Sequence, residues 1–298
     1  MKPLHLEYRP QNFKEFIGGE AIKESIMSGL DRTQTYLFYG QRGCGKTTLA
    51  RLIADLLKID KVDIYELDAA DKTSVDDARR LKATVYYSPM AGDKKIYIID
   101  EVHRLSGNAM DSLLKTLEEP PLHCIFVLCT TELGKVSRTI KSRSKIYEVK
   151  PLTLVNSGKL IDWVCKEEEI KLSEDVRKFL IDLCEGIPRE LIISLDMVRD
   201  IKDSEKAVDL IFSAIHKKEV IDLCRALLAV EKWYKIAEIL KGIQEEPENV
   251  RYAVLGWMNS VLLKGNNKQA AFVMTIFRES FMYSKKAGLT IACWEAVN

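Results

Sequence analysis

The run Thr35-Tyr36-Leu37-Phe38-Tyr39-Gly40-Gln41-Arg42-Gly43-Cys44-Gly45-Lys46-Thr47-Thr48 reads as an apolar strand that turns through glycines into a helix. From Gly40 onward it satisfies G-x4-G-K-[ST]. Glycines let the backbone wrap closely around phosphate oxygens, and the amide N–H groups of a helix N-terminus point at the anion. Gly40, Gln41, Arg42, Gly43, Cys44, Gly45, Lys46, Thr47 and Thr48 are therefore expected to cradle a nucleotide. Lys46 is expected to reach the β- and γ-phosphates and the Thr47 hydroxyl to join a Mg²⁺ shell. A glycine-rich turn can match this pattern by chance, but here the flanking strand and helix supply the context it requires.

Outward from the loop, short β-rich runs alternate with amphipathic helical stretches as far as residue 150. Residues 35–39, 63–67, 95–99, 124–129 and 146–149 read as strands. Apolar runs without a polar face predict a five-stranded parallel sheet covered by helices on both sides. The run Lys95-Ile96-Tyr97-Ile98-Ile99-Asp100-Glu101 delivers two carboxylates at the C-terminal end of its strand, where open α/β sheets bind ligands. Asp100 is expected to hold Mg²⁺, and Glu101 to orient and activate an attacking water. Such a pair makes the site hydrolytic.

After Pro151 the strand signals end and the chain reads as all-α. Breaks are expected near residues 171–173, 186–188, 202–204 and 213, then at Gly242, Pro247, residues 265–267 and Gly288. The chain has 298 residues, and 45 basic minus 44 acidic side chains gives a net charge of +1. With 47% hydrophobic and 30% charged residues, this composition excludes disordered and fibrous classes, and the length suits two domains or more. The near-zero charge provides no global field for nucleic acid, so DNA contact would need a local cluster.

Seven scattered cysteines (44, 124, 129, 165, 184, 224 and 293), with no CxxC pair, indicate neither a disulfide framework nor a zinc knuckle. They read as buried small residues in a reducing cytosol. Residues 1–10 have no apolar core for a signal peptide, and the run 124–129 is too short to span a bilayer.

Several motifs in order carry a resemblance. They are Tyr8-Arg9-Pro10 with Phe16-Ile17-Gly18; the phosphate loop; Glu66-Leu67-Asp68-Ala69-Ala70; and Ile99-Asp100-Glu101-Val102-His103. Leu113-Leu114-Lys115-Thr116-Leu117-Glu118-Glu119-Pro120-Pro121 follows, then Thr130-Thr131, Ser142-Arg143-Ser144 and Gly186-Ile187-Pro188-Arg189. With these the sequence resembles the clamp-loader branch of the AAA+ ATPases, most closely the bacterial gamma/tau type of DNA polymerase III. The 113–121 string is far more specific than the phosphate loop.

The resemblance implies three parts: an AAA+ ATPase domain over 1–150, a helical lid over 151–213 and a helical collar for oligomerisation over 214–298. It implies ATP and Mg as cofactors. Thr130 resembles the polar sensor at the end of the fourth strand, and Arg189 resembles the second sensor. Arg9, Pro10, Ile17 and Gly18 match the segment lining the adenine pocket. Arg143 resembles an arginine that acts in trans, at a neighbouring subunit's ATP. The implied partners are a sliding clamp, primer-template DNA and other loader subunits in a pentameric assembly.

Two positions depart from the pattern. Residues 57–61 stand where the bacterial family carries a four-cysteine zinc module, and Ser144 replaces a cysteine. The chain is also expected to lack the long form's C-terminal extension. Polar residues at the starts of helices after strands two and three, Thr73, Arg79, Arg80, Lys82, Arg104, Ser106 and Asn108, are expected to meet DNA phosphates, giving structure-specific binding.

Met110, Leu113, Leu114 and Leu117 fall at i, i+3, i+4 and i+7, a core-facing stripe. Trp257, Phe272, Phe277 and Phe281 read as helical core or collar interface, and His103 as a neutral hydrogen-bonding residue. The implied activity is a DNA-dependent ATPase that places a clamp on primed DNA. The alternatives are another AAA+ DNA-remodelling ATPase, such as a helicase loader or branch-migration motor, and a structural loader subunit that contributes only Arg143.

Overall fold

The computed structural model of the chain describes residues 2–69, 84–105, 116–215 and 218–298. It divides into two compact units, one formed by Met1–Lys166 with Cys184–Ile193 and the other by Glu167–Leu183 with Ser194–Asn298.

The first unit holds five strands: β1 Thr35–Tyr39, β2 Ile64–Asp68, β3 Lys95–Asp100, β4 Cys124–Thr130 and β5 Lys145–Glu148. They form one parallel sheet in the order β2-β3-β4-β1-β5. All five sequence-predicted strands are present, displaced by one residue at most. The second starts at Ile64 because Asp63 is fully buried and its carboxylate accepts the amides of Met90 (2.7 Å) and Ala91 (2.8 Å). Asp68 joins the strand by pairing in register with Asp100.

Period-two alternation on the inner strands explains why their sequences lack a polar face. Phe38, Ile96, Ile98, Ile125 and Val127 pack on one side of the sheet with Leu49, Ala50 and Ile53. Leu37, Tyr97, Ile99, Phe126 and Leu128 pack on the other with Val102, Leu117, Val136 and Ile140. Helices α1 Leu4–Glu7, α2 Glu20–Gly29, α3 Lys46–Leu56, α4 Arg138–Arg143 and α5 Leu154–Glu167 belong to this unit, α5 but for its last residue. Ser137 caps α4, its Oγ accepting the Ile140 amide at 3.3 Å. With β1 and β3 flanking β4, the chain segments leaving these three strands meet at one sheet edge. That edge is where a doubly wound sheet places ligands.

The helices that follow are α6 Glu174–Leu183, α7 Pro188–Val198, α8 Ser204–Ile215, α9 Lys218–Leu228, α10 Trp233–Gly242, α11 Pro247–Lys264, α12 Lys268–Ile276 and α13 Lys285–Glu295. The first half of α7 belongs to the first unit, and the other helices to the second. Most expected breaks fall between helices, but two do not. Ser213 lies inside α8, where buried Ala207, Val208 and Ile211 sustain the helical spacing to Ile215. Gly288 lies inside α13: a Cβ there would stand 2.0 Å from Ser284 Oγ and 3.1 Å from the Phe281 ring, so this glycine gives space rather than a break. Trp257, Phe277 and Phe281 are buried, whereas Phe272 is 49% exposed. Among the described residues, no helix is long and apolar enough to cross a membrane.

An ion pair between buried Arg251 and half-buried Glu248 ties α11 to the segment before α13. Arg251 Nε and Nη2 donate to Glu248 Oε1 (2.9 and 2.6 Å), and Nη1 donates to the Phe277 carbonyl (3.2 Å). Glu248 Oε2 accepts the Phe281 amide at 2.6 Å. These bonds, that of Arg251 foremost, hold the Glu248 carboxyl below its ordinary range. A carboxyl depressed on folding stabilises above its unfolded value, near about pH 4.3, and the contribution fades as pH falls through the folded value. Glu248→Gln should therefore melt below the unaltered chain at about pH 7, with the gap closing towards about pH 3. Thermal melts across that range check this, and a gap independent of pH would contradict it.

Candidate nucleotide-binding site

The phosphate loop begins where β1 ends, and close backbone packing requires its first glycine. Gly40 has φ +150°, its amide donates to the Thr130 carbonyl at 3.3 Å, and a Cβ there would lie 2.2 Å from the Val149 carbonyl oxygen. Gly45, at φ +100°, precedes α3, and a Cβ on it would enter the Phe16 ring at 2.9 Å. No side chain caps α3, so its first-turn amides are left to a ligand. Buried Lys46 donates from Nζ to the Gly40 and Gln41 carbonyls, both at 2.9 Å, which folds the ammonium back into the loop. Thr47 Oγ1 donates to Asp100 Oδ2 at 2.7 Å, joining the loop to the end of β3.

Glu101 follows Asp100 in the left-handed region, at φ +47°, a conformation that costs a non-glycine residue roughly 1–3 kcal/mol. Its amide donates to Asp100 Oδ1 at 3.0 Å. Its Oε2 accepts from the Thr131 hydroxyl at 3.0 Å and the Thr131 amide at 3.3 Å. Thr130, expected to be the polar sensor, ends β4 fully buried: its Oγ1 accepts the Glu132 amide (3.0 Å) and meets His103 Nδ1 (2.9 Å). The threonine on the cleft is Thr131. Alternation along β4 puts Thr130 on the face of Phe126 and Leu128, a signal legible in the sequence.

These groups line a cleft of 980 Å³. Lining it are Arg9, Pro10, Phe16, Ile17 and Gly18, and the loop from Arg42 through Gly43, Cys44 and Gly45 to Thr48. Asp100, Glu101, Arg104 and Thr131 line it too, as do Pro188, Arg189 and Ile192. Gly40 and Gln41 act behind the lining, through the carbonyls that hold Lys46. The Arg189 amide donates to the Gly43 carbonyl at 3.4 Å, and Arg9 Nε donates to Thr48 Oγ1 at 3.4 Å.

Burial pushes the Arg9 guanidinium below its ordinary value, and the neighbouring cations of Arg51 and Arg189 add to this. Arg51 is forked by Glu66, both bonds 2.6 Å, while Arg9 and Arg189 look onto the cleft. Burial also raises the Cys44 thiol, which disfavours its reactive thiolate. Of the other cysteines, only Cys165 is less than buried.

A polyphosphate and Mg²⁺ fit these residues. The glycine backbone leaves no room for side chains, Lys46 and Arg9 bring cations, and Thr47 and Asp100 offer the few hard oxygens from which Mg²⁺ is bound beside phosphates. Among the described residues, no cluster of three or more His, Cys, Asp or Glu side chains could hold a metal without such a ligand.

Comparison with known proteins adds lineage to this geometry. Residues 55–153 match the family model described as DNA polymerase III, delta subunit. The gamma/tau subunit of DNA polymerase III from Mycoplasma genitalium is 33% identical over 76% of this chain and 42% of its own length. The tau subunit from Bacillus subtilis is 30% identical over 96% of the chain and 53% of its own length. For tau from Escherichia coli the values are 32%, 76% and 39%. The chain belongs to the DNA polymerase III gamma/tau family.

This member spans about half the length of the relatives it matches. Among solved structures, the RuvB Holliday junction branch migration motor of Thermotoga maritima superposes with a TM-score of 0.57 at 20% identity, covering 78% of this chain and 85% of that one. The likeness is one of fold.

One of the gamma/tau-like candidates stands apart from the cleft. Arg143 ends α4 with Nη1 on the Thr139 carbonyl and Nη2 on Glu118 Oε1, both 3.2 Å, and does not line the chain's own cleft. Thr73, Arg79, Arg80, Lys82, Ser106 and Asn108 lie outside the described residues, as do Ala70, Met110, Leu113, Leu114 and Lys115. Arg104, the described member of the DNA set, lines the nucleotide cleft.

Proposed function

We propose that the chain is the ATP-hydrolysing subunit of a sliding-clamp loader, which opens the clamp and places it on primer-template DNA during replication. One observation carries this reading. Lys46, Thr47, Asp100 and Glu101 share a single cleft, while Arg143 stands outside it with its guanidinium on the surface. That division suits a site completed by a neighbouring copy or partner subunit, and relatives named as DNA polymerase III gamma/tau subunits support the replication context.

In this reading Lys46 and the α3 amides hold the phosphates, and Arg9, Pro10, Ile17 and Gly18 form the base side of the cleft. Mg²⁺, held by Thr47 and Asp100, would supply charge neutralisation to the phosphate oxygens. Glu101 accepts the proton of the attacking water, with Thr131 in the sensor place assigned from sequence to Thr130. Arg189 follows nucleotide state. Arg143 stabilises charge developing at the neighbour's transferred phosphoryl group, so hydrolysis requires assembly. ATP then acts as a ligand with higher affinity for the assembled state, the condition for a population shift. The pentameric stoichiometry is part of this proposal.

The test is ATP turnover by the complex purified from its source, its mass measured, with and without primed DNA and a ring clamp. Stimulation by both together is the expected result. Movement of DNA junctions without a clamp would replace this reading with a branch-migration motor, and failure of the chain to bind ATP would demote it to scaffold.

A further inference from the structure

Helix α5 turns one face to the cleft. Thr153, just before it, and Asn156 and Leu160 within it fall at i, i+3 and i+7, and all three line the cavity. Asn156 is half-buried in this row and stands beside Gly18, on the side assigned to the base. Measured from the point a Cβ on Gly18 would occupy, Leu152 Cδ2 lies at 3.0 Å and Asn156 Nδ2 at 3.4 Å. Gly18 has φ +82°, so backbone and space alike keep a side chain out from in front of the asparagine.

Polar groups around Asn156 are engaged with one another. Arg9 Nε donates to Thr48 Oγ1 at 3.4 Å, Glu15 Oε2 accepts the Gln11 amide at 2.8 Å, and Glu148 faces Lys150 at 3.5 Å. Thr153 Oγ1 accepts the Asn156 backbone amide at 3.3 Å. The Asn156 carboxamide differs from these, since it makes no hydrogen bond among the described residues. With Leu152 beside it and buried Leu160 one turn further on, it holds a donor and an acceptor open at an apolar part of the cleft. Such a group favours a ligand that satisfies both atoms over one that leaves either unpaired.

Adenine offers the matching pair. Its N6 amino group donates and its N7 accepts, side by side, and they meet Oδ1 and Nδ2 of one asparagine. Guanine sets O6 next to N7, two acceptors, and leaves Oδ1 against a lone pair. We propose that Asn156 is the residue that selects the base, its Oδ1 accepting from N6 and its Nδ2 donating to N7 of adenine. The proposal rests on the ATP-binding reading of the cleft and names how that ligand is told from GTP.

The test is calorimetric titration of the whole chain with ATP, GTP and 7-deaza-ATP, in which a C–H group replaces N7. The unaltered chain should prefer ATP to each of the others by about 5- to 150-fold, the span of one good bidentate pair. In Asn156→Ala both preferences should fall to within about twofold. Asn156→Asp keeps the acceptor for N6 but sets an anionic oxygen against N7, so this variant should bind 7-deaza-ATP at least as tightly as ATP. A carboxylate that merely repelled the triphosphate would weaken all three nucleotides together and leave their ratios unchanged. Equal affinity of the unaltered chain for ATP and 7-deaza-ATP would overturn the proposal, as would a preference for ATP that persists in Asn156→Ala. Should the alanine variant fail to fold, an unreversed preference in Asn156→Asp overturns it alone. An unaltered chain that binds none of the three would sink the nucleotide reading of the cleft first, and this proposal with it.

Discussion

Lys46→Ala is expected to abolish measurable ATP binding by the chain in a calorimetric titration. Lys46 is buried at the start of α3 with its ammonium on two loop carbonyls, so its removal takes away both the cation that faces the phosphates and the brace between the ends of the loop. Truncating one partner of a desolvated, hydrogen-bonded charge pair costs about 2–5 kcal/mol, which weakens binding by roughly 30- to several-thousand-fold. The fold should survive, because the sheet core on either side of the loop involves none of the lysine's contacts. Unaltered ATP affinity in a folded Lys46→Ala chain would refute the cradle.

Arg143→Ala should do the opposite: ATP binds normally, and hydrolysis in the assembled complex falls by about 10³- to 10⁵-fold, the range for an arginine supplied to a phosphoryl-transfer site. Binding is spared because the guanidinium is not part of its own chain's cleft. Its partner Glu118 is itself half-exposed, and such surface pairs contribute about 0–1 kcal/mol, so stability should hardly change. Turnover by a single unassembled chain at the rate of the complex would show that no neighbour completes the site.

Much of the first unit was legible because its information is local. The loop is contiguous in sequence, and its spacing, the apolar run before it and the helix after it sit within one short segment. The five strands could be read because inner parallel strands bury both faces, which shows as unbroken apolarity, and their edges moved by only one residue where side chains such as Asp63 were called elsewhere. Helix breaks were less legible. Gly288 resembles a terminator in composition, but the space it vacates is filled by Ser284 and Phe281, a fact of packing.

Composition and order of residues by themselves determined the parallel sheet, the phosphate loop and the Asp100–Glu101 pair, since each depends on neighbours a few positions apart. Which threonine meets Glu101, where His103 sends its two nitrogens, and that Arg143 misses its own chain's cleft were decided only in three dimensions. Thr130 and Thr131 differ by one position in the sequence yet stand on opposite sides of a buried boundary, because the last residue of a strand still obeys the pleat and the next one is free of it.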